Sequence, residues 1–235
     1  LNGVVQARTT TTVIPQVAGR IIEVSPGFRP GARVNEGDLL FSIDPTDYEL
    51  AIERTLAEIE IARSDLARLE AEAAAERKVW RGQFPDKPIP DLIARVPQIE
   101  AARARIHSGE ASRQAAELSL ARTVVRAPFD ARILETQLDV GQVVSTNASV
   151  GSIFSVDSLE IAVPVSAKER SLIGPIDFQA VDIILPAAQG DALAGNLVRA
   201  SAALDERTRL RTLFISAVDQ EQLTVGEFVT VEIAG

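Results

Sequence analysis

Gln16-Val17-Ala18-Gly19-Arg20-Ile21-Ile22-Glu23-Val24, leading through Pro26, Gly27, Pro30 and Gly31 to Val34-Asn35-Glu36-Gly37-Asp38-Leu39-Leu40-Phe41-Ser42-Ile43-Asp44, decides the fold, because the chain repeats it after an interruption. Short alternating apolar runs punctuated by Gly and Pro predict strands and hairpins. The pattern returns at Pro128-Phe129-Asp130-Ala131-Arg132-Ile133-Leu134-Glu135, Val140-Gly141-Gln142-Val143-Val144 and Ile153-Phe154-Ser155-Val156-Asp157. Arg20-Ile21, Gly31 and Phe41-Ser42-Ile43-Asp44 thus recur as Arg132-Ile133, Gly141 and Phe154-Ser155-Val156-Asp157. A half-motif of about 30 residues occurring twice predicts two quasi-symmetric β halves that pack together, so the insertion must return to where it left.

The insertion reads as a helical hairpin. Thr46-Asp47-Tyr48-Glu49 has the spacing of a capping box. Beyond it, Tyr48, Ile52, Thr55, Ile59, Ala62, Leu66, Leu69, Ala73, Glu76 and Trp80 fall at alternating steps of four and three, a heptad seam with two imperfect positions. Glu60 with Arg63 and Asp65 with Arg68 lie at helical spacing on the outer faces. A helix from Thr46 to about Trp80 would be roughly 50 Å long and must project from its small β domain. Phe84-Pro85-Asp86-Lys87-Pro88-Ile89-Pro90 cannot continue it. A second helix is expected from about Pro97 to Arg122, with Ala104, Ala111, Ala115 and Leu118 facing back and Gly109 weakening its middle.

After Asp157 the pattern becomes short strands at 159–165, 180–185, 195–200, 213–218 and 228–233, with a helical turn near 167–172. Together with a first strand around Val4 to Thr10 these predict a small antiparallel barrel. The fold class is therefore α+β and multi-domain, with a split β-sandwich at 13–45 and 123–158, a hairpin at 46–122 and a barrel from 1–12 and 159–235.

A net charge of −9 disfavours nucleic acid as a partner, since that needs a cationic face. There is no cysteine, which removes disulfides, thiolate metal sites and cysteine nucleophiles. The single histidine, His107, falls mid-helix, where a solvated or packed residue is the expected reading rather than a catalytic or metal-binding one. No catalytic, cofactor-binding or metal residue is nominated.

Thr123-Val124-Val125-Arg126-Ala127-Pro128-Phe129-Asp130-Ala131-Arg132 resembles the signature of the periplasmic adaptor (membrane fusion) proteins that serve resistance-nodulation-division (RND) efflux pumps. Gly19-Arg20-Ile21 with Val34 to Leu40 looks like that family's first lipoyl half-motif, and Val140 to Val144 like its second. Asp205-Glu206-Arg207-Thr208-Arg209 with Val225-Gly226-Glu227-Phe228 looks like its barrel. The resemblance implies a non-enzymatic adaptor in the periplasm of a Gram-negative bacterium, held at the inner membrane by a segment outside this chain. Its membrane-proximal domain is expected to be missing or incomplete here. The implied partners are an inner-membrane transporter, an outer-membrane channel and further copies in a trimeric or hexameric sheath, with no cofactor. An adaptor of an ATP-driven exporter is the alternative within the family.

The family's tip motif has Arg, then Leu four positions on, then Ser seven further. Arg77 matches the first, but Arg81 and Pro88 stand at the others. Arg77, Arg81 and Lys87 are the expected channel contacts at the tip, and Arg207 and Arg209 the expected transporter or protomer contacts, although salt bridges within the barrel are the simpler role for Asp205, Arg207 and Arg209. A lipoyl or biotinyl carrier is a remote rival. It needs a lysine on the turn joining the half-motifs, and the only lysines are Lys78, Lys87 and Lys168, with the helical insertion occupying that turn.

Overall fold

The computed structural model describes residues 1–173, 179–185, 192–220 and 222–233. Strand β1 (Asn2–Ala7) is followed by β2 (Thr10–Val13), β3 (Gly19–Val24), β4 (Arg33–Val34) and β5 (Leu39–Ile43). Helices α1 (Thr46–Gln83) and α2 (Val96–Ala121) intervene before β6 (Val124–Arg126), β7 (Ala131–Thr136), β8 (Val143–Val144) and β9 (Gly151–Ser155). The rest comprises β10 (Leu159–Val165), α3 (Ala167–Leu172), β11 (Gln179–Ile184), β12 (Ala192–Leu204), β13 (Arg211–Ala217) and β14 (Phe228–Ile233).

The repeat read from the sequence is a structural pseudo-two-fold. The sandwich consists of sheets ordered β2-β9-β7-β4 and β6-β5-β3-β8, and exchanging β2 to β5 for β6 to β9 turns one order into the other. Each half lends its shortest strand to the other half's sheet, Arg33 and Val34 pairing with Arg132 and Ala131 while Val143 and Val144 pair with Arg20 and Gly19. The matching turns sit at Gly31 and Gly141, at φ 84° and 90°. Gly31 N–H donates to the Ile133 carbonyl and Gly141 N–H to the Ile21 carbonyl, both at 2.8 Å. Left-handed backbone costs other L-residues about 1–2 kcal/mol, so one constraint explains glycine at both places. Ile21, Phe28, Leu40, Phe41, Ile43, Ile133 and Ile153 fill the space between the sheets.

Residues 1–12 were expected in the barrel, but Thr10–Val13 pairs with β9, Thr10 opposite Phe154 and Val13 opposite Gly151. The chain leaves the barrel after Ala7 because the backbone of residues 10–13 completes the sandwich sheet. The barrel is closed, in the order β1-β10-β13-β12-β11-β14. Val163, Ile183, Leu197, Leu213, Ile215 and Val231 alternate inward to form its core. Near the sandwich, Glu160 is buried, accepts from Arg199 at 2.8 and 3.0 Å and from Gln6 at 3.0 Å, and the Arg199 guanidinium lies 3.6 Å from the Phe214 ring centroid.

The hairpin follows the predicted seam on α1: all ten seam positions are buried or half-buried, with Ile59 and Ala73 the most enclosed. Two local readings are corrected. The start of α1 has no capping box. Its N-cap is Pro45, which places Thr46 inside the first turn rather than at the N-cap position that the box requires, and Asp44 accepts from the Thr46 N–H at 3.0 Å and the Thr46 hydroxyl at 2.7 Å. That hydroxyl bond, with the backbone one, holds the Asp44 carboxyl below its ordinary pKa.

On α2 the buried line is Ile99, Ala102, Ile106, Gly109, Arg113, Ala116 and Leu120, whereas Ala104, Ala111, Ala115 and Leu118 are exposed. Alanine occurs on both faces of α2, so small side chains do not mark its seam. The isoleucines and the ion pairs Arg63–Glu110 (3.6 Å) and Arg103–Glu70 (3.1 Å) set the rotation. Gly109 then packs directly on α1, since a Cβ there would lie 2.8 Å from Ile59 Cγ1. We expect Gly109→Val to destabilise the hairpin by about 1–3 kcal/mol by overpacking, despite valine's better helix propensity. Thermal denaturation followed by helical circular dichroism checks this. Among the described residues no helix is long and apolar enough to cross a membrane.

Candidate docking surfaces at the hairpin tip and the barrel

The two helices have 38 and 26 residues, so α1 runs about 57 Å and α2 about 39 Å at 1.5 Å per residue. The difference is taken up by residues 84–95, which fold against the end of α1. Pro85, Pro88 and Pro90 prevent helix there, and Phe84 caps α1 by donating its N–H to the Trp80 carbonyl. Trp80 and Phe84 pack with centroids 4.7 Å apart and planes inclined by 47°, and the Lys87 ammonium lies 4.9 Å from the Phe84 centroid.

Two arginines clasp the tip. Arg95, the N-cap of α2, has left-handed backbone at φ 50°. Its guanidinium donates to Glu72 at 2.6 Å and to Glu76 at 2.7 and 3.2 Å. Glu72 also takes a bond from Arg68, so the clasp continues into the shaft. From the other side, Arg77 donates to the Ala94 carbonyl at 3.2 Å. The Arg77 Nε and Trp80 Nε1 groups are buried beside it without a hydrogen-bond partner.

The predicted tip residues therefore separate. Arg77 is half-buried and engaged with the loop, whereas Arg81 and Lys87 are exposed. Exposed Lys78, Val79 and Leu92 share this end of the hairpin. The clasp was not legible in the sequence, because Glu72, Glu76 and Arg95 lie on opposite arms and no spacing rule links them.

Hydrogen bonding from Arg95 holds the Glu76 carboxyl below its ordinary value. A carboxyl depressed by folding stabilises the folded form fully above its unfolded pKa, and this contribution is lost as pH falls through the folded value. Acidification below about pH 4.5 should accordingly raise amide exchange at residues 84–96 before it does so in the sandwich. Arg95→Gln should remove that pH dependence. Hydrogen-exchange mass spectrometry across the titration reads both.

In the barrel, Arg207 and Arg209 lie on the turn between β12 and β13. Asp205 is engaged with that turn's backbone rather than with either guanidinium, accepting from the N–H groups of Thr208 (2.8 Å) and Arg207 (3.1 Å) and from the Thr208 hydroxyl (2.8 Å). These bonds, the Thr208 N–H first, lower its pKa. The simpler reading of a salt bridge within the barrel is thus replaced by two exposed arginines on a backbone-braced turn, with Arg209 at φ 59°.

His107 is exposed on α2, and the described residues hold no cluster of three His, Asp or Glu side chains suited to a metal ion. A cleft of about 260 Å³ between sandwich and barrel is lined by Arg33, Arg132, Asp157 and Asp219 among others. Lys78 and Lys87 belong to the hairpin and Lys168 to α3, so none lies on a turn joining the half-motifs.

A family model described as RND MFP, barrel-sandwich hybrid domain, matches residues 9–155. Multidrug resistance protein MdtA of Escherichia coli (strain SMS-3-5 / SECEC) is 28% identical over 149 residues, 63% of this chain and 35% of that protein. Nodulation protein NolF of Rhizobium meliloti (strain 1021) is 28% identical over 223 residues, 94% of this chain and 59% of that protein. The chain therefore spans between 35% and 59% of the length of these relatives. Among solved structures, MacA from Actinobacillus actinomycetemcomitans superposes with a TM-score of 0.79 at 17% identity, over 99% of this chain and 76% of that one. That last likeness is one of fold.

Proposed function

The chain belongs to the RND membrane fusion proteins, whose barrel-sandwich hybrid model matches more than half of it, and from that membership we propose that it is a periplasmic adaptor joining an inner-membrane transporter to an outer-membrane channel for export of small molecules. The observation that carries this reading is the hairpin. At its base Tyr48 donates its hydroxyl to the Ala18 carbonyl at 2.6 Å and packs on the sandwich core, but beyond that the projection of about 57 Å packs arm against arm. It extends the reach of the molecule. The exposed cations and apolar side chains gathered at its far end support contact with the channel there.

In this reading the barrel turn with Arg207 and Arg209 meets the transporter or a neighbouring protomer. The exposed line of Ala104, Ala111, Ala115 and Leu118 supplies a narrow face along which hairpins of further copies lie side by side in a trimeric or hexameric sheath. The match to an RND family model favours a proton-driven transporter over an ATP-driven exporter. Co-purification with an ATPase instead would move the chain to the second group.

Deleting Phe84 to Ile89 tests the tip. We expect loss of export, read as restored drug sensitivity in a strain dependent on this adaptor, together with loss of cross-linking to the channel. Export and cross-linking at wild-type levels would overturn the assignment of the tip as the channel contact.

A further inference from the structure

Charge is distributed along the rod in a way that the docking reading does not itself require. Residues 77–96 hold five cations, Arg77, Lys78, Arg81, Lys87 and Arg95, and two carboxylates, Asp86 and Asp91, a surplus of three positive charges. The whole chain carries −9, so the remaining residues carry −12.

Pairing sharpens the contrast. On the shaft, Arg54, Arg63, Arg68, Arg103 and Arg113 each stand in an ion pair with a carboxylate, and Arg105 is exposed without one among the described residues. At the tip, Arg77 and Arg95 are engaged internally. Lys78, Arg81 and Lys87 are exposed, and among the described residues none makes an ion pair. A cation in the last turn of α1 suits the helix C-terminus, which accounts for Arg81 alone, since Lys87 lies beyond the helix. Val79 and Leu92, 61% and 72% exposed, add apolar surface beside these cations.

Resting on the docking reading above, we infer that the hairpin tip recognises an acidic protein face and that the charge asymmetry of the rod steers it there tip first. An acidic surface repels the bulk of the molecule and attracts only its end, so the field turns the long axis toward the surface before contact. Val79 and Leu92 then bury apolar area once the cations have set the orientation.

The test uses the chain on sensor surfaces coated with poly-L-glutamate, with vesicles of phosphatidylcholine alone and with phosphatidylglycerol as further arms. The chain should bind poly-L-glutamate at low salt in spite of its net charge, with an on-rate falling about tenfold or more as salt rises. Lys78→Glu, Arg81→Glu and Lys87→Glu together should abolish that binding. Arg207→Glu with Arg209→Glu, which alters charge on the barrel, should leave most of it.

Failure to bind poly-L-glutamate at low salt overturns the inference. So does equal loss in the tip and barrel variants, or preferential binding to phosphatidylglycerol vesicles, which would make the partner a lipid surface. Persistence of tip cross-linking to a channel in cells alongside any of these results would leave the docking reading standing and remove only its electrostatic basis.

Discussion

Removing one heptad from each arm of the hairpin, residues 64–70 from α1 and 101–107 from α2, takes out Glu70 together with its partner Arg103, keeps the Arg63–Glu110 pair, and is expected to abolish export while leaving a folded protein. Seven residues preserve the seam, because each remaining core position keeps its place in the repeat: Ile59 still faces Gly109 and the Arg95 clasp on Glu72 and Glu76 is untouched. What changes is length, by about 10 Å at 1.5 Å per residue. Helical circular dichroism should fall only in proportion to the residues removed, and export should drop to the level of a strain lacking the adaptor. Deleting the heptad from one arm alone displaces the tip relative to its partner helix and should additionally lower the melting temperature. Full export by the shortened protein would mean that reach is not what the hairpin supplies.

The largest expected effect on stability lies in the sandwich. Phe28 is 1% exposed and packs against Phe41 with ring centroids 6.0 Å apart and planes inclined by 39°. It belongs to the loop between β3 and β4, so one side chain ties the first half-motif's turn to the common core. Phe28→Ala should cost about 3–5 kcal/mol, the lost transfer energy plus the cavity left between two sheets that cannot collapse freely. Since domains of this size hold only about 5–15 kcal/mol, that change should leave the sandwich marginal at 37 °C. Ile22→Ala, at a position 48% exposed in the same half-motif, should move stability by about 0.5 kcal/mol or less. Urea denaturation of both variants separates these outcomes. The hairpin should also lose its fixed base in Phe28→Ala, because α1 and α2 leave and re-enter the sandwich beside the paired strands β5 and β6.

Much of this architecture was legible because its causes are local and periodic. The Arg-Ile and Gly features are written twice since the same turn and the same inward isoleucines, Ile21 and Ile133, serve both halves of a pseudo-symmetric sandwich, whereas the Phe-Ser match does not carry over, Phe41 packing in the sandwich core and Phe154 in the barrel core. The α1 seam was readable because apolar residues hold all but Thr55 and Glu76 of its ten positions. The α2 seam was not: with alanine on two faces, helix rotation is decided by Ile99, Ile106 and ion pairs to the other arm, all tertiary facts. Thr46 and Glu49 had the right spacing for a capping box, yet the helix begins one residue earlier than that box requires, with Pro45 as N-cap and the Thr46 N–H and hydroxyl donating back to Asp44.

At the tip, the family motif matches at Arg77 alone, and Arg81 and Lys87 were expected beside it as basic charge near the turn. The fold divides them, since closing the loop across 84–95 places the Ala94 carbonyl within reach of Arg77, while Arg81 and Lys87 remain exposed. The barrel turn illustrates the converse. Asp205 and the neighbouring arginines look like an ion pair in sequence, but a tight turn offers its backbone N–H groups to the carboxylate at shorter range.

Site-specific photo-cross-linking in intact cells tests the adaptor reading most directly, with the photoreactive group placed in turn at Leu92 on the hairpin tip and at Arg207 on the barrel. The predicted result is an adduct with an outer-membrane channel from Leu92 and with an inner-membrane transporter or a neighbouring copy from Arg207. Adducts of Leu92 with the transporter, or none with any outer-membrane protein while Arg207 still cross-links, would contradict it.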